Sequence, residues 1–346
     1  MRSLDSPVLL LLAALCSALQ PPAQQLRVCA TTTDLGALCA AVGGNEVQVT
    51  TFVRPAEDPH SLEARPSLLK ALNKADVLVL VGRELEIGWL PVLLSNARNG
   101  AVLAGQPGYV DCSTAVRALG VPTGPVDRSQ GDVHAAGNPH YLTDPLCGLQ
   151  VAALVTERLT QLRPAAQATF ARNLQELRKR LAVAMVGENL AARYDDDAER
   201  LALLFGAGKL ATLLREQGDL ADLGGWFGAL LPHRGAPLVV DHDLWPYFAE
   251  RFGLTVVAQL EPRPGVAPTT AHLEKVIARM RSDRVRVIAT ASYFPPRHAE
   301  FVRQATGAQV AVLAHQPGAL PGTDDYCAFV DHNVRALVAV LAETPR

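Results

Sequence analysis

The sequence predicts an α/β protein of two lobes, each a parallel sheet flanked by helices, joined by one long helix. Three observations predict it. Strand-like and helix-like segments alternate from Leu26 to Ala97 and again from Pro237 to Leu341, the pattern of parallel sheets covered by helices. Between them, from Ala165 to Arg193, the apolar residues Phe170, Leu174, Leu177, Leu181, Met185 and Leu190 recur close to helical period, which predicts a rod of about 45 Å. At 346 residues the chain is long for a single core, so two lobes of ordinary size are expected.

The elements follow in order. Leu26 to Ala30 reads as a strand, Leu35 to Val42 as a helix stopped by Gly43-Gly44, and Glu46 to Val53 as a strand. Pro66 to Lys74 reads as a helix opened by proline, Val77 to Val81 as a strand, and Leu85 to Ala97 as a helix. An irregular stretch from Pro107 to His140 precedes a helix from Asp144 to Leu162, which closes a first lobe over 24–163. The linker helix takes 164–194, and a helical connecting segment takes 195–236, entered by Asp195-Asp196-Asp197 and turned at Gly224-Gly225. The second lobe, 237–346, repeats the alternation: strands at Pro237 to Val240, Thr255 to Gln259, Val285 to Ala289 and Gln309 to Leu313, with helices at Leu244 to Phe252, Thr270 to Met280, Arg297 to Ala305 and Tyr326 to Leu341.

Residues 1–23 stand apart as a signal peptide: Met1-Arg2-Ser3, an apolar run from Val8 to Leu15, then the small-residue site Cys16-Ser17-Ala18. The run is too short for a permanent anchor, so an exported, periplasmic or extracytoplasmic protein is expected. Cys16 offers lipidation as the alternative, although Leu15 stands where a lipoprotein signal prefers a small residue. With 49% apolar residues and a net charge of −2, neither disorder nor a nucleic-acid partner is indicated. Past the signal five cysteines remain without a Cys-x-x-Cys pair, which argues against a thiolate metal knuckle. Cys29 and Cys39 could bridge in an oxidising compartment or stay as buried thiols.

Chemistry concentrates in two tripeptides of the same build, Asp58-Pro59-His60 and Asn138-Pro139-His140. Proline fixes its own φ and restricts the residue before it, so each histidine leaves its loop in a direction set by the backbone, which suits a metal ligand. The plainer reading is a surface loop histidine, since the chain has nine histidines and 24 prolines and a third Pro-His pair, Pro232-His233, with no site around it. His242 follows the strand Pro237 to Val240 at the edge where open sheets collect ligands. Asp324, with Asp325 beside it, precedes the final helix, where a carboxylate also suits a helix start. Three imidazoles and one carboxylate, two from each lobe, would make a four-coordinate site in the interlobe cleft and favour zinc.

Further motifs run along the chain: Thr31-Thr32-Thr33-Asp34-Leu35, Ala56-Glu57-Asp58-Pro59-His60, Gly82-Arg83-Glu84-Leu85-Glu86 with Trp89-Leu90, Gly137-Asn138-Pro139-His140-Tyr141, Asp241-His242-Asp243 with Trp245, and Arg251-Phe252-Gly253-Leu254. In content and order these resemble the solute-binding proteins of zinc and manganese ABC transporters, over nearly the whole chain past the signal. The resemblance implies a metal held between two α/β lobes joined by a rigid helix, with His60, His140, His242 and Asp324 as ligands. It implies a monomer that captures Zn²⁺, with Mn²⁺ behind it, and delivers it to an inner-membrane ABC permease, without catalysis. Manganese-preferring members tend to carry a carboxylate where this chain has His242.

The chain departs from the family in places. The long His- and Asp-rich loop of zinc-specific relatives is reduced to Asp132-Val133-His134, where His134 is either a transient metal collector or a solvated side chain. Asp197 to Pro232 is longer than the usual connection. The fourth ligand stays open among Asp324, Asp325, Glu63 and a water. Glu86 and Trp89 read as structural, His272 and His298 as exposed, and His233, His315 and His332 carry no functional claim. Three other readings stand beside this one. A zinc hydrolase would need a general base, for which Glu57 and Glu63 are the nearby candidates, and no His-Glu-x-x-His is present. A chelate- or tetrapyrrole-binding protein would leave the histidines surplus, and an adhesin is not addressed by sequence.

Overall fold

Val28, Cys29 and Ala30 lie buried at the centre of the first sheet, where β1 (Leu26–Ala30) runs parallel between β2 (Val47–Thr51) and β3 (Val77–Leu80). β4 (Tyr109–Asp111) lies beyond β3. In the second sheet β5 (Pro237–Val240) runs between β6 (Thr255–Gln259) and β7 (Val287–Ala291), with β8 (Gln309–Leu313) beyond β7. Both sheets are parallel and share one topology, β2-β1-β3-β4 and β6-β5-β7-β8. In each, the connection reverses beside the first strand, and that reversal opens a crevice at the carboxyl ends. The computed structural model describes residues 24–126, 133–263 and 265–343. The signal-peptide and Cys16 readings, and Asp132, lie outside these residues.

Helices cover both faces of each sheet. α1 (Thr33–Gly43), α2 (Pro66–Lys74), α3 (Leu90–Ala97) and α4 (Pro145–Leu162) belong to the first lobe. α5 (Gln167–Val186), α6 (Glu188–Arg193), α7 (Ala198–Gly206), α8 (Leu210–Gln217) and α9 (Gly225–Leu230) connect. α10 (Pro246–Phe252), α11 (Thr270–Ser282), α12 (Arg297–Thr306) and α13 (Tyr326–Ala342) complete the second lobe. None of the described helices is long and apolar enough to cross a membrane.

The structure corrects the sequence reading at four places. The linker is not one helix: it breaks at Gly187, whose φ is +85° and where a Cβ would come within 3.0 Å of the Gly224 Cα. The chain needs glycine there so that the turn into α9 can pack against the end of α5, and α5 alone spans about 30 Å. The helix expected from Leu85 begins at Leu90, because Gly82, Arg83 and Glu84 all take positive φ and form a turn. β4 was not expected, being only three residues long. β7 lies two residues later than its apolar run suggests. The five described cysteines are free thiols. Cys29 faces a cluster with Phe52 and Trp89, whereas Cys39 faces the main core on the other side of the sheet, so the two do not bridge.

The lobes are not independent. One apolar core runs from Val28 and Leu35 through α4 and α5 to Phe252, Phe329 and Leu341, joining the facing sides of both sheets. Polar bonds reinforce this seam. Arg251 donates to both carboxylate oxygens of Asp144, at 2.8 and 3.0 Å, in a buried pair. Arg83 donates to the Tyr247 hydroxyl, and the Tyr326 hydroxyl donates to the Leu142 carbonyl at 2.9 Å. On the opposite side the Gln316 amide donates to the carbonyls of Arg54 and Pro55 at 2.9 and 3.2 Å.

Candidate metal centre

His60 stands in the loop that follows β2. Pro59 has no N–H to offer, so the Asp58 carboxylate reaches over it, with one oxygen accepting from the His60 amide at 2.9 Å and from the His60 Nδ1 at 2.8 Å. Trp89, expected only to pack, also donates from Nε1 to the Pro59 carbonyl at 3.1 Å. With Nδ1 committed to Asp58, the His60 Nε2 carries the free lone pair, and it is buried with no hydrogen-bond partner. A buried nitrogen left so costs about 1–3 kcal/mol, which a bound cation would offset.

His140 repeats the device. Asn138 Oδ1 accepts from the His140 amide at 2.9 Å, while Asn138 Nδ2 donates across the cleft to the Asp243 carbonyl at 2.6 Å and its carboxylate at 3.0 Å. His242, at the carboxyl end of β5, is set by Asp241, which accepts from its amide at 2.7 Å. Its Nδ1 is paired at 2.6 Å with Glu261, at the end of the neighbouring β6. One ring nitrogen from each of His60, His140 and His242 lies within 4.8 Å of the others. The three ring centroids are 5.1, 5.6 and 5.7 Å apart. Zinc at about 2.0–2.1 Å from each nitrogen needs them about 3.4 Å apart, so only a small closure is required.

Protonation follows the surroundings. Burial drives the His140 pKa well below the ordinary imidazole value, and the neighbouring histidines add to this. Burial opposes the charged form of His242 too, yet the Glu261 hydrogen bond, with the charges of Glu261, Asp241 and Asp243, holds its pKa above the ordinary value. Asp241 is raised to about 6 by burial. Glu86 is buried beneath the site, accepting from Thr31 Oγ1 and the Val81 and Gly82 amides, and burial raises it to about 7. It ties the ends of β1 and β3 together, which agrees with a structural role.

The remaining candidates separate. Asp324 is exposed and lies outside the three-histidine group. Asp325 caps α13, accepting from the Ala328 amide at 2.8 Å, and pairs with Arg180 at 2.9 Å. Glu63 is exposed, and Glu57 is engaged by the Arg54 amide and the Arg65 guanidinium. The structure brings together the three histidines and leaves the carboxylate at the surface.

His134 is no solvated loop side chain. Its ring stacks on His60 at 5.5 Å and 24°, its Nε2 is buried without a hydrogen-bond partner, and burial pushes its pKa down to about 4. Glu261 was missed as the support of His242; its place at the end of the strand beside β5 was the available signal. His315 is buried, bonding through Nε2 to the Glu57 carbonyl at 3.1 Å. His272 is half-buried against the Gln259 carbonyl at 3.0 Å, and His298 is also half-buried; neither joins the site.

Comparison with known proteins gives the family and the fold. A family model described as "Zinc-uptake complex component A periplasmic" matches residues 28–187 and 217–340. The intervening 188–216 holds α6 and α7 and nearly all of α8, within and just before the stretch that reads as longer than usual. The metal ABC transporter substrate-binding lipoprotein ScbA of Streptococcus cristatus is 27% identical over 179 residues, 49% of this chain and 54% of ScbA. The manganese-binding lipoprotein MntA of Bacillus subtilis is 40% identical over 63 residues, 18% of this chain and 21% of MntA. This chain therefore spans about half the length of the first and about a fifth of the second. Among solved structures, a crystal structure of ZnuA shares the fold with a TM-score of 0.65 at 18% identity, over 92% of this chain and 99% of that one.

Proposed function

This chain belongs to the family of periplasmic zinc-uptake complex components A, and from that premise we propose that it captures a divalent transition-metal ion outside the cytoplasm and delivers it to the permease of an ABC transporter. The cargo is Zn²⁺ ahead of Mn²⁺, and no catalytic step is involved. The observation that carries this reading is the convergence of His60, His140 and His242, from loops of both sheets, with donor nitrogens within 4.8 Å. Carboxylates behind His60 and His242 fix those two rings so that Nε2 faces the ion.

Zinc leads on donor chemistry. Imidazole suits zinc, while manganese favours carboxylate, carbonyl and water oxygens. The manganese reading stands second because a relative is named as manganese-binding. Asp324, whose carboxylate would favour manganese, is exposed on the loop before α13, which supports a nitrogen-rich shell.

Elemental analysis of protein purified without chelator, followed by calorimetric titration with Zn²⁺ and with Mn²⁺, tests the proposal. One tightly bound zinc per chain is expected. Structural zinc sites are worth about 12 kcal/mol over four ligands, so His60→Ala or His242→Ala should each weaken binding by roughly a hundred- to thousandfold. Zinc binding unaffected by both substitutions would remove the basis of this reading.

A further inference from the structure

Three imidazoles leave a fourth coordination position, and the segment between His134 and His140 is held in a way that three ligands alone do not require. Gly82, Arg83 and Glu84 take φ of +80°, +49° and +66°, so two side-chain-bearing residues in succession occupy the left-handed region. Such backbone persists only where its surroundings over-determine it. From below, the Glu86 carboxylate accepts from the Val81 and Gly82 amides at 2.8 and 3.1 Å. From above, the turn grips the histidine segment at two points. Glu84 Oε2 accepts from the Ala135 amide at 2.8 Å, and the Arg83 guanidinium donates to the Asn138 carbonyl at 3.2 Å.

Those grips fall next to the two histidines of the segment. His140 is already fixed by its Asn138 turn. His134 lies just outside the three-histidine group and opens a turn in which the Gly137 amide donates to its carbonyl at 3.1 Å, and the Glu84 bond to the next residue fastens that turn beside His60. Its ring is stacked at 5.5 Å on His60 and lies 6.5 Å from His140, with an Nε2 that is buried and unpartnered. The acidic alternatives are exposed or engaged elsewhere, Asp324 and Glu63 at the surface and Asp325 on α13.

We propose that Glu84 is a positioning residue, which through its hydrogen bond to the Ala135 amide holds the His134 imidazole in place as the fourth donor to the captured ion. This rests on the receptor reading above and sharpens it: the shell is all nitrogen, which favours zinc over manganese. Glu84 itself touches no metal. Its carboxylate acts only as an acceptor, so a neutral amide oxygen of the same reach serves equally.

The test is the rate of Zn²⁺ release to a competing chelator, with Co²⁺ absorption as a second readout of four-coordinate geometry. Glu84→Gln should match the parent protein. Glu84→Ala, Glu84→Gly and His134→Ala should each release zinc roughly ten- to hundredfold faster and shift the visible Co²⁺ band, as a water takes the place of a nitrogen donor. The double variant Glu84→Ala/His134→Ala should be no faster than His134→Ala, because the two act through one contact. Glycine accepts positive φ where alanine does not, so Glu84→Gly should melt above Glu84→Ala yet release zinc as fast, separating positioning from folding. Unchanged release in Glu84→Ala, or a fast His134→Ala beside a slow Glu84→Ala, overturns the proposal while leaving the receptor reading intact. A parent protein that binds no zinc would instead overturn the receptor reading.

Discussion

The first lobe brings His60 and His140 to the cleft on Asx-Pro-His turns, while the second brings His242, leaning on Glu261, from a sheet of the same strand order. The contrast extends to protons. His140 sits far below the ordinary imidazole range, whereas His242 sits above it. Identical topology therefore delivers imidazoles of opposite proton affinity, because topology fixes only where the carboxyl ends of strands meet. Burial and the charged groups facing each ring set its proton affinity. In the first lobe burial favours the neutral ring of His140, and in the second the Glu261 carboxylate favours the protonated ring of His242.

Separating the lobes should give the largest effect on stability. Arg251→Ala leaves the Asp144 carboxylate buried without its partner, and a loss of about 3–5 kcal/mol is expected in denaturant unfolding. The exposed interlobe pair of Arg117 with Glu250 serves as contrast, where Arg117→Ala should cost no more than about 1 kcal/mol. Equal losses from the two would mean that the buried pair does not hold the seam.

Glu261→Gln sharpens the proton contrast. A pKa raised in the protein means that His242 holds its proton to higher pH, so zinc affinity should fall as pH drops through and below that raised value. His140 stays neutral through the same window, and so does His134, with a pKa of about 4. With the carboxylate gone, the loss should begin at lower pH, and affinity near neutral pH should drop about tenfold because the ring is less firmly oriented. Zinc titrations between about pH 5.5 and 7.5 would check both effects. A pH profile identical to the parent's would place the competing proton elsewhere.

Gln316→Ala addresses the opposite edge of the seam and should have the smallest effect. It removes neutral hydrogen bonds to the Arg54 and Pro55 carbonyls just before the His60 loop, at a cost of about 1 kcal/mol by thermal or chemical unfolding. A loss as large as that from Arg251→Ala would shift the main restraint between the lobes to this loop.

Much of the molecule was legible in the sequence. Seven of the eight strands follow from short runs bounded by turn residues, continuous and apolar at the buried β3 and β5 and alternating at the edge strand β2. Four of these runs end where the strands do, and β4 escapes because three residues carry no period. The tripeptides at 58–60 and 138–140 were legible as well, because the geometry that aims the ring is local: proline, the Asx acceptor and the histidine amide lie within three residues.

The chain by itself determined two α/β lobes and two histidines aimed by their own loops. Only the folded molecule decided that the linker breaks at Gly187, that Asp324 stays at the surface, that His134 stacks on His60 and that Glu261 backs His242. The physical reason is range. Period and proline act through bonds between near neighbours, and the sequence displays them. The charge and company of a buried ring depend on residues tens of positions away, which become neighbours only when the sheets close on one another.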